Sequence, residues 1–153
     1  MISIRRAVKS DVDSIIQLFE DTVRHINQKD YSRDQLAVWA NAKYLAILAD
    51  NVLTQYFFVA EIQEHLVGFS SFTQDGYLDF MYVHKDFQSQ GIATSLLEHI
   101  LKEASDMNIK RLYASVSITA QPFFRSKGFQ TYDEEHKVIK GISFTNALME
   151  KEI

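Results

Sequence analysis

Apolar positions along the chain change their period several times, and each change marks an element. Ile2 to Arg6 alternates apolar with polar residues, the two-residue period of a strand. From Val12 the spacing widens, and Val12, Ile15, Ile16, Phe19, Val23 and Ile26 recur at helical intervals. Ser10 stands ahead of them as an N-cap, and Asp11 and Asp13 suit the positive end of a helix. Ser32 with Gln35 makes a capping-box pattern for a second helix that carries Leu36 and Trp39. The stretch Asn41 to Thr54 reads either as a continuation of that helix, which would place Tyr44 on it, or as loop.

Strand-like runs follow at Gln55 to Ile62, Leu66 to Thr73 and Tyr77 to Val83. Gln63-Glu64-His65 and Gln74-Asp75-Gly76 are the short links between them, so the three form an antiparallel meander. Gly91 to Asp106 reads as a helix, with Ile92, Leu96, Leu97, Ile100, Leu101 and Ala104 on one face. Arg111 to Val116 is a strand, Ala120 to Lys127 a short helix stopped by Gly128, and Phe129 to Thr131 and Lys137 to Lys151 the last strands. The order β, α, α, β, β, β, α, β, α, β, β combines an antiparallel meander with one crossover helix between neighbouring strands.

The 153 residues suffice for one domain with a real core, and 46% are apolar, including 11 Phe and 7 Tyr. One proline and five glycines leave little room for linkers, so residues 1–153 read as a single domain. A net charge of −4 without a basic stripe argues against a nucleic-acid partner. No apolar run reaches the ~20 residues of a membrane helix. Polar residues return too early for a signal peptide, and a cytoplasmic setting is expected. Cysteine is absent, which excludes disulfides, a Cys nucleophile and thiolate metal sites. His25, His65, His84, His99 and His136 show no metal-ligand spacing, so no metal is expected.

The segment that carries chemistry is Tyr82-Val83-His84-Lys85-Asp86-Phe87-Gln88-Ser89-Gln90-Gly91-Ile92-Ala93. A strand ends at Val83, a polar loop follows, and a helix begins near Gly91. The free N–H groups and positive pole of a helix start can bind phosphate without a basic side chain. Gly91 and Ala93 are small where a pyrophosphate needs the backbone close. A Walker loop requires Lys-Ser or Lys-Thr after its last glycine, whereas Ile92-Ala93 follows here, and a dinucleotide fingerprint requires three glycines.

With Gln88, Gly91 and Ala93 at their spacing, the segment resembles the acetyl-CoA signature of the GNAT superfamily of N-acetyltransferases. Phe123-Phe124 with Gly128-Phe129, and the closing stretch from Gly141 to Lys151 with Met149, are similar to further family features. Tyr31-Ser32, Leu36 and Trp39-Ala40 are similar to a segment of small bacterial members.

The resemblance implies an α/β (α+β) fold with a mixed, mostly antiparallel central sheet, a splayed parallel strand pair and about four helices. It implies acetyl-CoA as co-substrate, an amine of a small molecule or a protein as acceptor, direct transfer, and a monomer or homodimer. Cofactor contacts would come from Met81, Tyr82 and Val83 along the strand, from Gln88, Ser89, Gln90, Gly91, Ile92, Ala93 and Thr94, and from Ser117, Phe123 and Phe124.

Tyr77, Asp79 and Met81 would share a strand face by alternation. Met81 N–H would then polarise the thioester carbonyl, and Asp79 would be the base or the recogniser of a cationic amine. Glu61 is a second candidate base. Tyr31, Trp39 and Phe58 would line the acceptor pocket. Many members carry a Tyr at the position of Phe124 that protonates the leaving thiolate, which leaves Tyr82, Tyr132 or water as the acid here. Phe124 and Ser117 also keep open a non-catalytic acyl-CoA-binding or sensor module.

Overall fold

A computed structural model describes residues 1–153. In chain order the elements are β1 (Ser3–Arg6), α1 (Val12–His25), α2 (Arg33–Trp39), α3 (Ala42–Thr54), β2 (Tyr56–Ile62), β3 (His65–Phe72) and β4 (Leu78–Val83). They continue with α4 (Ile92–Asp106), β5 (Arg111–Val116), α5 (Gln121–Ser126), β6 (Gln130–Ile139) and β7 (Ile142–Glu152). None of the helices is long and apolar enough to cross a membrane.

The capping box closes as its sequence implies. Gln35 N–H donates to Ser32 Oγ at 3.1 Å, and Ser32 N–H donates to Gln35 Oε1 at 2.9 Å. The ambiguous stretch after it is a separate helix, which makes five α-helices rather than about four. The break falls at Ala40, whose ψ of 42° leaves the helical well. Asn41 then starts α3 afresh, its Oδ1 accepting Tyr44 N–H at 3.1 Å. The chain end also differs from expectation. The residues from 130 to 152 form one long hairpin, β6 with β7, turned at Lys140 and Gly141. Both have positive φ, 49° and 80°, as two-residue hairpin loops favour.

The strands fall into two antiparallel sheets, β1-β2-β3-β4 and β5-β7-β6. Between β4 and β5 there is a single parallel bridge, Tyr77 with Tyr113, braced by Tyr113 N–H donating to the Gly76 carbonyl at 3.0 Å. Past that bridge no ladder joins β4 to β5, so the sheet is split along this line. Gly76 is what lets the strands meet: its φ is +92°, and a Cβ there would lie 2.2 Å from the Arg111 carbonyl oxygen.

Packing fixes both faces of the first sheet. On one, α1 and α3 bury Ile15, Phe19 and Leu48 against Phe57, Val59, Phe69 and Phe80. On the other, α4 buries Leu97, Ile100 and Ala104 with Phe58, Phe72 and Leu78, in a cluster that continues through Leu112, Ala114 and Val116 of β5 to Phe124 and Met149. Each large side chain so buried contributes roughly 1.5–3 kcal/mol. The α4 cluster is thus the apolar joint that holds the two sheets together below the split.

Gly76→Ala is expected to cost more than about 2 kcal/mol, because positive φ and a backbone clash act together. Gly141→Ala, with φ +80° and open space around its Cβ, is expected to cost about 1 kcal/mol. Urea denaturation of the two variants checks the order.

Candidate active site

The split between β4 and β5 opens into a cleft of about 520 Å³, within the range of small-molecule sites. One half is lined by Met81, Val83, residues 87–89 and 91–94, Val116, Ser117, Phe123 and Phe124. The other half is lined by Tyr31, Trp39, Tyr44, Tyr77, Asp79, Lys137, Phe144 and Asn146. His84 N–H donates to the Val67 carbonyl at 2.8 Å, and Ser70 Oγ donates to the Phe80 carbonyl at 2.6 Å. Both bonds point towards β3. By alternation Met81 and Val83 turn their own N–H and C=O groups away from β3, into the split.

At the mouth, Gln88 Nε2 donates to the carbonyls of Val83 at 2.8 Å and His84 at 3.2 Å, folding the loop onto the end of β4. Ser89 and Gly91 take left-handed φ, 61° and 81°. Such conformations curl successive N–H groups into a concave, anion-binding surface. Gly91 precedes α4 with no side-chain cap, so the first N–H groups of that helix have no side-chain acceptor. A Cβ built on Gly91 would meet nothing within 4 Å, so the backbone here is open to a ligand. Gln90 lies outside the cleft lining, unlike Gln88, Ser89, Gly91, Ile92, Ala93 and Thr94.

Asp79 sits at an interruption of β4. Ser71 pairs with Phe80 and Phe72 with Leu78, so Asp79 is the extra residue of a bulge. The simple alternation expected of Tyr77, Asp79 and Met81 therefore fails. Leu78 packs into the α4 cluster, Phe80 into the α1–α3 cluster, and Met81 back against the α4 side. Asp79 turns instead to the end of α3, where Gln55 Nε2 donates to its Oδ2 at 2.7 Å. The fully buried Ser71 donates to Gln55 Oε1 at 2.7 Å and so orients that amide. Burial pushes the Asp79 carboxyl above the usual carboxylate range, while the Gln55 bond and the Lys137 charge oppose the shift. Burial likewise raises the Tyr31, Tyr44, Tyr77 and Tyr82 hydroxyls, so these stay neutral.

Three expected residues lie elsewhere. Phe58 is buried on the opposite face of the sheet, edge-on to His99 of α4 with ring centroids 4.6 Å apart, because it faces away from its neighbour Phe57. Glu61 is held by the Arg5 guanidinium at 2.8 Å, far along β2 from the cleft. Tyr132 is 46% exposed on β6 and stacks under Arg111. Tyr31 and Trp39 do line the cleft, their rings 4.9 Å apart and edge to face. Tyr44, Lys137, Phe144 and Asn146 join them without a sequence signal, since their placement depends on where α3 and the β6–β7 hairpin come to rest. Gln55 and Ser71 carried no signal either.

A sheet split beside an uncapped helix start, with a half-buried acid across the gap, is a frame suited to a transferase. Residues 27–153 match the family described as an acetyltransferase (GNAT) domain, and the chain belongs to this family of acetyl-CoA-dependent acyltransferases. It is 30% identical over 151 residues to the uncharacterized N-acetyltransferase YafP of Escherichia coli K12, covering 97% of this chain and 94% of that one. A GCN5-related N-acetyltransferase from Rhodopseudomonas palustris superposes with a TM-score of 0.93 at 26% identity, over 99% of this chain and 95% of that one. PaiA N-acetyltransferase from Thermoplasma acidophilum, solved in complex with coenzyme A, shares the fold at a TM-score of 0.84 and 19% identity, over 100% and 99% of the two chains.

Gln55→Leu removes the one side-chain hydrogen bond that favours the charged form of Asp79. The Asp79 pKa is expected to rise further, with Ser71→Ala moving it less and in the same direction. Carboxyl-carbon NMR titration reads both; an unchanged or lower value in Gln55→Leu would contradict the network.

Proposed function

We propose that residues 1–153 act as a single cytoplasmic acetyltransferase domain, transferring an acetyl group from acetyl-CoA to a primary amine while both are held in one complex. The observation that carries this reading is the bulged, half-buried Asp79 in a cleft whose mouth is the uncapped start of α4. The mouth suits a pyrophosphate: the start of α4 has no side-chain cap, and the space over Gly91 is open, so backbone N–H groups between Gln88 and Thr94 would hold it. The edge of β4 from Met81 to Val83, where Met81 turns its N–H and C=O and Val83 its N–H into the split, suits an extended amide-bearing arm, which would add to it like a strand. Ser117, Phe123 and Phe124 wall the far side.

Acetyl-CoA supplies the acyl group as a thioester, whose C–S bond breaks as the new N–C bond forms, releasing the thiol. The chain's residues align, desolvate and exchange protons. Met81 N–H faces the split and is placed to polarise a carbonyl oxygen. An alkylammonium has a pKa near that of lysine, about 10.4, and must lose its proton to become nucleophilic. Asp79 is the acceptor for it, and its raised pKa makes it a better base than an exposed carboxylate. Phe124 has no proton to give. Tyr82 is buried and therefore a weaker acid than usual, and Tyr132 is outside the cleft. A free thiol ionises near pH 8.5, so the leaving group departs as thiolate without a protein acid, and the second proton lost by the attacking nitrogen passes to that sulfur through water to give the thiol.

Calorimetric titration with acetyl-CoA, followed by thiol release against an amine panel, tests the reading. Saturable binding is expected, abolished in Gly91→Trp, with release only when amine is present. Asp79→Asn is expected to keep acetyl-CoA binding and lose about 10²–10⁴-fold in kcat. The acidic limb of the kcat/KM profile in the wild type should lie above the ordinary carboxylate range, following the upward shift of Asp79, and should vanish in the variant. Binding without release from any amine would instead indicate an acyl-CoA sensor.

A further inference from the structure

The acceptor half of the cleft is built mostly of aromatic rings. Tyr31, Trp39, Tyr44, Tyr77, Tyr82 and Phe144 all line it. Several are fixed from behind. Phe19 stacks on Tyr44 at 5.3 Å and meets Tyr82 edge-on at 4.9 Å, while Tyr31 and Trp39 each hold Phe144 at 6.2 Å. The tyrosine hydroxyls are neutral, so the rings present uncharged, electron-rich faces. Among these rings the cleft has one acid, Asp79, and one base, Lys137. Rings around a single carboxylate attract a compact cation with an apolar body.

The same half is roofed. Gln35 Nε2 of α2 donates to the Ser143 carbonyl of β7 at 3.0 Å, beside the contact of Trp39 with Phe144. On another side, Ile118 N–H donates to Tyr31 Oη at 2.8 Å and Thr119 Oγ1 to Asp30 Oδ2 at 2.7 Å, tying the segment after α1 to the loop before α5. These ties narrow the half on two sides, which disfavours a continuing polypeptide chain. Lys137 is partly satisfied by Glu135 at 3.6 Å, yet its ammonium still shares the cleft with Asp79 and would repel a second positive charge on the acceptor.

We infer that the acceptor is a small primary monoamine with an apolar body, taken as its ammonium into the aromatic box around Asp79. This deepens the transferase reading and rests on it. The box binds the cation, and Asp79 then takes one proton from it within the same contact, leaving the amine neutral. Selectivity is thereby set by charge number and girth: one ammonium, no second cation, no continuing peptide chain.

The test uses the full chain saturated with CoA, titrated with 2-phenylethylamine, its neutral counterpart 2-phenylethanol, 1,4-diaminobutane and a lysine-containing hexapeptide. Turnover with acetyl-CoA is measured on the three amines. The expected result is binding of 2-phenylethylamine about tenfold or more tighter than the alcohol, the preference a desolvated cation–aromatic contact supplies. That preference should shrink in Asp79→Asn, which removes the carboxylate and leaves the rings. The diamine and the peptide should have the lower kcat/KM, and Lys137→Glu, a change at a solvent-reaching side chain, should narrow the gap between diamine and monoamine. Equal binding of amine and alcohol, or a higher kcat/KM for peptide or diamine, overturns the inference while leaving the transferase standing. Failure to bind acetyl-CoA overturns the transferase reading and the inference together.

Discussion

The molecule depends on a refusal of two neighbouring strands to pair. β4 and β5 touch at Tyr77 and Tyr113 and then separate. Elsewhere an unpaired strand edge is a liability, because its N–H and C=O groups seek partners. Here the edge is kept open by packing rather than by the strands themselves. The α4 helix spans the bottom of the split, and its cluster with Phe72 and Leu78 on one side and Leu112, Ala114 and Val116 on the other holds both sheets in place where no ladder joins them. A helix that serves as the joint and also presents its N-terminus at the mouth couples the stability of the fold to the geometry of the cleft.

Much of this was legible in the sequence, and the failures have physical causes. Local signals held: the Ser32–Gln35 capping box, the meander of β2 to β4, and the apolar stripe of α4. So did the loop with Gln88 and Gly91, because its shape follows from a few residues with special backbone needs. What could not be read was anything set by a register shift or by long-range docking. The bulge at Asp79 depends on how β3 and β4 slip past one another, and no residue near it announces the slip. Strict alternation therefore put Met81 on the face of Asp79 when it packs to the α4 side, although Tyr77, Asp79 and Met81 all line the one cleft. Phe58 went to the wrong face for a related reason. Phe57, Phe58 and Val59 form a continuous apolar run, so periodicity cannot say which of them turns to which side. The separate helix α3 was hidden because Ala40 and Asn41 form a break without glycine or proline.

The electrostatics of the acceptor half carry a cost. A carboxyl lifted above its ordinary range destabilises the folded state wherever it is ionised, since the unfolded chain ionises it more easily. The structure limits that cost with one donated hydrogen bond from Gln55, itself held by Ser71, and with the distant charge of Lys137. It does not remove it, as a bidentate arginine would. The Arg5 clamp on Asp11 shows the alternative within the same chain: there the guanidinium is the main cause of a lowered acid pKa, and the result is a structural brace.

A bulged residue has a freedom that its neighbours lack. Asp79 contributes no rung to the β3–β4 ladder, so its side chain can be exchanged without disturbing strand register or either apolar cluster. The loop from Gln88 to Gly91 lies at the other end of the same strand, and its shape is set by main-chain conformation. The two ends of β4 are therefore separable: a side-chain change at Asp79 alters the charge of the cleft without touching the backbone that shapes its mouth.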